Sequence, residues 1–187
     1  VDHDIVKSII RKKIKDGRLL NLLDEIIDSA PGVPIGNYLS QYLANLYLSY
    51  FDHWLKEYKQ VKYYYRYADD LVILSESKEY LHGLLEEIRL YLKKELKLDL
   101  KGSYQVFPVE KRGIDFVGYV FRHRRIRMRK SIKKNFCRRV AKLNKKSLSA
   151  KEFRMKVCSW LGWAKHCDSR NLLKKIIKDE DVCRHGN

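Results

Sequence analysis

The sequence predicts an α+β fold that ends in a small helical segment. Three observations carry this. Apolar residues recur with helical spacing through much of residues 1–58 and again through 78–96; two aromatic or β-branched runs, Val61–Arg66 and Leu71–Ser75, flank an Asp pair; and everything beyond Ser131 returns to a helical pattern.

The elements follow in order. Ile5, Val6, Ile9, Ile10 and Ile14 fall on one helical face, after Asp2 and Asp4, either of which can cap the helix start. A short second helix fits Leu19–Ile27. Two prolines and two glycines in Ser29–Asn37 break the pattern. Tyr38–Tyr58 then reads as a long, mostly buried helix, with Tyr38, Tyr42, Leu46, Phe51 and Leu55 within one broad face. After the Asp pair, Lys78–Leu96 is amphipathic, with Leu81, Leu84, Leu85, Ile88 and Leu92 inward and Glu86, Glu87 and Arg89 outward. Between 98 and 128, Gly102, Pro108, Gly113 and Gly118 divide short β-type runs. Gly113–Phe121 is the clearest strand, and Arg124–Met128 returns beside it. Helices are expected over Ile132–Leu143, after Ser149 with Glu152 as a capping box, and over Arg170–Ile177.

The 187 residues suit one domain, or one domain with a small appendage, and charged residues, 34% of the chain, interrupt the apolar runs so often that none approaches membrane-spanning length. Four cysteines without CxxC spacing fit a reducing, cytoplasmic setting. Charge is distributed unevenly. Residues 1–110 hold 16 Lys and Arg against 17 Asp and Glu, whereas residues 111–187 hold 24 against 6, so the whole +17 excess lies in the last part. From Lys111 to Lys146 there are 15 basic residues and one acid, Asp115. A solvated surface normally mixes the two signs, so a block this one-sided points to a polyanion, nucleic acid first.

Tyr67-Ala68-Asp69-Asp70 is the densest chemical signal. A hairpin turn would hold both carboxylates close together and exposed, and like charges that close call for a divalent cation, with hard oxygen ligands favouring Mg²⁺. Asp is also a common turn residue for conformational reasons alone, and the tetrapeptide by itself does not separate the two readings.

The surrounding motifs do separate them. Gly32-Val33-Pro34-Ile35-Gly36-Asn37-Tyr38-Leu39-Ser40-Gln41 resembles motif B of the reverse transcriptases, Tyr67–Asp70 resembles their motif C, and Phe116-Val117-Gly118 resembles motif E, in that order and followed by a basic helical segment. The resemblance implies a right-hand palm over residues 1–128, incomplete at its N-terminus, and a basic helical thumb over 129–187. It implies an RNA-directed DNA polymerase that adds dNTPs to a DNA primer on an RNA template by two-metal phosphoryl transfer, with Mg²⁺, or Mn²⁺ in its place. On this resemblance Asp69 and Asp70 are the catalytic metal ligands. Ile35, Gly36, Ser40, Gln41, Tyr67 and Ala68 lie at template and nucleotide, and Phe116 and Gly118 form the primer grip. Arg127, Arg129, Lys130, Lys133, Lys134, Arg138 and Arg139 follow backbone phosphates.

Three departures bear on function. Ile35-Gly36 and Ser40-Gln41 stand where most of the family has Gln-Gly and Ser-Pro, a form similar to reverse transcriptases of diversity-generating retroelements and their group II intron-like bacterial relatives, in which loss of the Gln is linked to relaxed fidelity. Motif A and the fingers, expected upstream of Val1-Asp2-His3-Asp4-Ile5, are not among the 187 residues, so these alone are expected to polymerise little or nothing. A partner carrying fingers and motif A, or an accessory protein, is the corresponding expectation. In motif D the usual Lys position holds Tyr104, with Lys101 three residues earlier, so Lys101 or Tyr104 is the candidate general acid to pyrophosphate. The competing expectation is a non-catalytic nucleic-acid-binding or protein-interaction module that keeps the polymerase fold.

Overall fold

The computed structural model describes residues 1–32, 38–146 and 148–177. Ile35 and Gly36 therefore lie outside the described residues. The fold is α+β, with helices α1 (His3–Lys13), α2 (Gly17–Asp28), α3 (Tyr38–His53), α4 (Lys78–Leu96), α5 (Val109–Arg112), α6 (Lys130–Leu143), α7 (Ala150–Lys165) and α8 (Arg170–Ile176), and strands β1 (Tyr63–Tyr67), β2 (Asp70–Leu74), β3 (Ile114–Phe116), β4 (Tyr119–Arg122) and β5 (Arg125–Met128). The chain divides into two compact units, Val1–Val106 and Phe107–Asn187.

In the first unit, α1 starts at Asp2, whose carboxylate accepts the Ile5 N–H at 3.1 Å, and α2 starts at Asp16 in the same way. Their apolar faces meet α3 and α4 in a core of Val6, Ile9, Ile10, Ile27, Leu43, Tyr47, Phe51, Leu55, Leu84, Ile88 and Leu92. α3 differs from its expected burial. Its inward stripe is Leu43, Tyr47 and Phe51, spaced by four residues, while Tyr38 (96% exposed) and Tyr42 face solvent. The apolar character of this helix extends around more of its circumference than the core can cover. Tyr47 is placed by its hydroxyl, which donates to the Leu96 carbonyl at 2.5 Å and accepts from the Asp2 N–H at 3.2 Å. The end of the same run is π-helical over Trp54–Tyr58, closed by the Lys59 N–H on the Trp54 carbonyl. β1 and β2 form an antiparallel hairpin in the register Tyr63 with Leu74 to Tyr67 with Asp70.

The second unit holds the antiparallel sheet β3-β4-β5 and the basic helices. Gly113–Phe121 is not one strand but a hairpin: Val117 and Gly118 make a two-residue turn, both at positive φ (+48° and +84°), and Phe116 pairs with Tyr119. Positive φ at both central residues matches the right-handed twist of the flanking strands, which favours reversal over extension. β5 then pairs with β4 as expected. Met128 belongs to the same core as Phe136, Val140, Leu143, Phe153, Val157, Ala164 and Leu173, so this sheet is cemented to the helices that follow it. The Arg129 N–H donates to the Gly118 carbonyl, and Asp168 closes the outer edge of β5 by bonding both the N–H and the carbonyl of Ile126. α7 begins with the expected Ser149–Glu152 capping box. Trp160 stacks on Phe136, and Trp163 packs against Tyr119.

Candidate active site

β1 alternates strictly. Tyr63, Tyr65 and Tyr67 face outward, while Tyr64 and Arg66 point inward and reach α3. The two-residue turn that follows is Ala68-Asp69, with Ala68 at φ +52°, and Asp70 opens β2 opposite Tyr67. Both carboxylates of the pair are exposed at the tip of the hairpin.

The base of the hairpin is fixed to α3 by an ionic network that no sequence motif announces. Arg66 donates from Nε and Nη2 to the two oxygens of Asp52, at 2.8 and 2.5 Å, and from Nη1 to Asn45 Oδ1 at 3.0 Å and to the Ala68 carbonyl at 2.9 Å. The Tyr64 hydroxyl adds a third bond to Asp52, at 2.7 Å. Burial and the bond to Asp52 push the Tyr64 phenol well above its usual range. With side-chain exposures of 12% for Arg66 and 29% for Asp52, this pair is far better shielded than the surface ion pairs of the molecule. A signal for it did exist. Asp52 is a lone acid directly after Phe51 in an apolar helix, and Arg66 occupies an inward strand position, and charges in such places are kept by partners.

Of the two candidates in the motif D segment, the structure brings Lys101 to the carboxylates. Its Nζ donates to Asp69 Oδ2 at 2.9 Å. This hydrogen bond holds the Asp69 carboxyl below the usual carboxylate range and raises the Lys101 ammonium above its own. Tyr104 is turned elsewhere: its ring lies under the Arg89 guanidinium, 4.6 Å from centroid to Cζ, and its N–H bonds the Lys101 carbonyl. On α3, Gln41 is exposed one turn before Asn45, so the helix presents Gln41 next to the residue that meets Arg66; Ser40 precedes it in the first turn.

Asp69 and Asp70 supply hard carboxylate oxygens suited to Mg²⁺ or Mn²⁺, and Asp69 already carries a cationic partner in Lys101. Among the described residues no group of three or more His, Cys, Asp or Glu side chains is arranged to hold a metal ion. A cation held by this pair would need its remaining ligands from elsewhere, such as water, phosphate oxygens or a further carboxylate.

In the second unit, Phe116 ends β3 and Gly118 is buried in the turn, where an added Cβ would lie 2.5 Å from Trp163 Cζ3 and 2.8 Å from Ile132 Cδ1. Arg127 on β5 and Lys130, Lys133, Lys134, Arg138 and Arg139 on α6 are exposed, opposite the buried Phe136, Val140 and Leu143. Arg129 differs from them, because its Nε donates to Asp115 at 2.7 Å. No described helix is long and apolar enough to cross a membrane.

Residues 2–121 match the family described as reverse transcriptase (RNA-dependent DNA polymerase). The chain is also similar to Protein YkfC of Escherichia coli (strain K12), at 27% identity over 69% of this chain. It spans 44% of the length of that curated relative. The family match takes in α1 to β4 and both hairpins, including the turn that carries Asp69 and Asp70, and on that match the chain belongs to the reverse transcriptase family.

Proposed function

We propose that these residues form the palm (1–128) and basic thumb (129–187) of an RNA-directed DNA polymerase that extends a DNA primer with dNTPs on an RNA template. The observation that carries the reading is the Asp69–Asp70 turn, two exposed carboxylates on a hairpin anchored to the helix of motif B. Bound Mg²⁺ or Mn²⁺ would supply activation of the primer 3′-hydroxyl and neutralisation of charge on the departing pyrophosphate. Asp69 would be the ligand common to both ions and Asp70 would assist from the strand end. Lys101 or Tyr104 would give a proton to the leaving group, and the hydrogen bond of Lys101 to Asp69 supports Lys101 for that role.

The other roles follow from the family resemblance. Tyr67 and Ala68 flank the site of the primer end, and Gly36, Ser40 and Gln41 serve template and nucleotide. Ile35, apolar where most relatives have Gln, removes hydrogen bonds that enforce base geometry, consistent with a relaxed-fidelity enzyme of the diversity-generating or group II intron-like bacterial type. Phe116 and Gly118 hold the primer strand. Arg127, Lys130, Lys133, Lys134, Arg138 and Arg139 follow backbone phosphates without reading sequence, and Arg129 does so only by exchanging Asp115 for a phosphate. Catalysis would also require fingers and a motif A carboxylate in the same complex, and the cysteine usage fits a cytoplasmic setting.

A second reading, a nucleic-acid-binding module without catalysis, is favoured by one observation: the cation beside Asp69 is the chain's own Lys101. Primer extension decides between them. The chain is joined to a segment carrying fingers and motif A and given an RNA template, a DNA primer, dNTPs and Mg²⁺. Extension that Asp69→Asn abolishes supports the polymerase. Extension indifferent to Asp69→Asn contradicts the site, and no extension with intact RNA binding favours the module.

A further inference from the structure

The turn that carries the Asp pair adopts a conformation its own sequence does not favour. At φ +52° the Ala68 Cβ crowds the backbone, and Gly or Asn is the usual occupant of such a place in a two-residue hairpin turn. A strained residue persists where its surroundings over-determine it. Among the described residues, the side chain that bonds the Ala68 carbonyl is that of Arg66, while Lys101 bonds the Asp69 carboxylate itself. Arg66 spends Nε and Nη2 on Asp52, which fixes the plane of the guanidinium, and Nη1 is thereby aimed at the Ala68 carbonyl and at Asn45. Asp52 and Asn45 both belong to α3, so the peptide plane that leads from Ala68 into Asp69 is set by a helix rather than by the turn.

We propose that Arg66 is a positioning residue for the Asp69–Asp70 turn: clamped on Asp52 of α3, it holds the Ala68 carbonyl and through it the orientation of the Asp69 carboxylate. The consequence for metal loading rests on the function proposed above; the positioning itself does not. A lysine cannot take over, because one ammonium does not span Asp52, Asn45 and the carbonyl in a fixed plane. Glycine at position 68 removes the need for the clamp, because it adopts positive φ without help.

The test compares the full chain with its Arg66→Lys, Ala68→Gly and double variants, using backbone NMR and amide exchange. Circular dichroism and slow exchange at Phe51 and Ile88 establish that each is folded. With Arg66→Lys we expect the Ala68 and Asp69 resonances to move and exchange at Asp70 to quicken at least tenfold, with Phe51 unchanged; adding Ala68→Gly should restore slow exchange. Wild-type resonances and exchange in Arg66→Lys would overturn the proposal, and so would a double variant no better than Arg66→Lys alone. Should Arg66→Lys fail to fold, Asp52→Asn, which keeps the shape and weakens the clamp, gives the same comparison. Mn²⁺ broadening at Asp69 should need at least threefold more metal in Arg66→Lys, and equal Mn²⁺ demand with a loosened turn would overturn the positioning of the carboxylate. If the wild-type turn takes up no Mn²⁺, the metal reading fails, while the exchange comparison still judges Arg66.

Discussion

Replacing Gly118 by Ala should destabilise the second unit by about 1–5 kcal/mol. Two costs add at this residue. With φ at +84° a side chain is strained by about 1–2 kcal/mol. A Cβ placed 2.5 Å from Trp163 Cζ3 and 2.8 Å from both Trp163 Cη2 and Ile132 Cδ1 forces rearrangement of the packing, about 1–3 kcal/mol. The smaller conformational freedom of Ala in the unfolded chain offsets about 0.4–1 kcal/mol. The assay is urea unfolding followed by tryptophan fluorescence in a Trp54→Phe background, so that Trp160 and Trp163 report on the second unit. Combining Gly118→Ala with Trp163→Phe, which deletes the outer indole ring, should recover the Trp163 share of the steric part and leave the Ile132 contact and the cost of φ. A loss below about 0.5 kcal/mol for Gly118→Ala, the range of ordinary surface substitutions, would refute the reasoning.

Four other outcomes are expected. Asp52→Ala leaves the shielded Arg66 guanidinium without its carboxylate and should cost the first unit about 3 kcal/mol in urea unfolding; a cost under about 1 kcal/mol would mean that water replaces the pair without penalty. Ser149→Ala removes one half of the α7 capping box and should cost about 1 kcal/mol, with faster amide exchange confined to the first turn of that helix. The Asp69 carboxyl sits below its usual range because Lys101 donates to it, so their pairing is complete above the ordinary carboxylate range and is lost as pH falls through the lowered folded value; in Lys101→Ala, the NMR titration midpoint of Asp69 should move upward. Binding of RNA by the full chain should weaken linearly in log K against log salt, and neutralising Lys133, Lys134, Arg138 and Arg139 together should lower that slope by about 0.7 for each phosphate that these side chains engage. A flat salt dependence would contradict the thumb assignment.

How much of this is legible in the sequence depends on whether the signal is local. Helix α4 and the capping box of α7 are written in short-range pattern and form at the expected residues, as does the hairpin around the Asp pair to within two residues at its ends. Two misreadings share a cause. Gly113–Phe121 looks like a continuous β-type run because Val117 is β-branched, yet Gly118 beside it allows a turn, and contacts of that turn with Trp163 and Ile132 favour reversal. Tyr38 and Tyr42 are expected inside because aromatic rings count as apolar, whereas the core reaches only the Leu43, Tyr47 and Phe51 stripe. In both places tertiary packing decides between options the local sequence leaves open. The candidate site divides in the same way. Asp69 and Asp70 are adjacent and visible at once, while Lys101 competes with Tyr104 and is distinguished by a hydrogen bond across 32 positions. Asp52, Asn45 and Arg66 have no motif to announce them. The three-stranded sheet, assigned from sequence together with the first helices, shares a core with the basic helices through Met128 and meets them at Gly118, contacts between distant positions that no local pattern announces.

The claim on which the rest depends is that the Ala68–Asp70 turn holds a divalent cation. A Mn²⁺ titration of the full chain, followed by paramagnetic broadening of backbone amides, tests it most directly. Broadening should begin at Asp69 and Asp70, saturate, be displaced by excess Mg²⁺, and be lost in Asp69→Asn. Broadening spread over the acidic surface, or unchanged in Asp69→Asn, would contradict it.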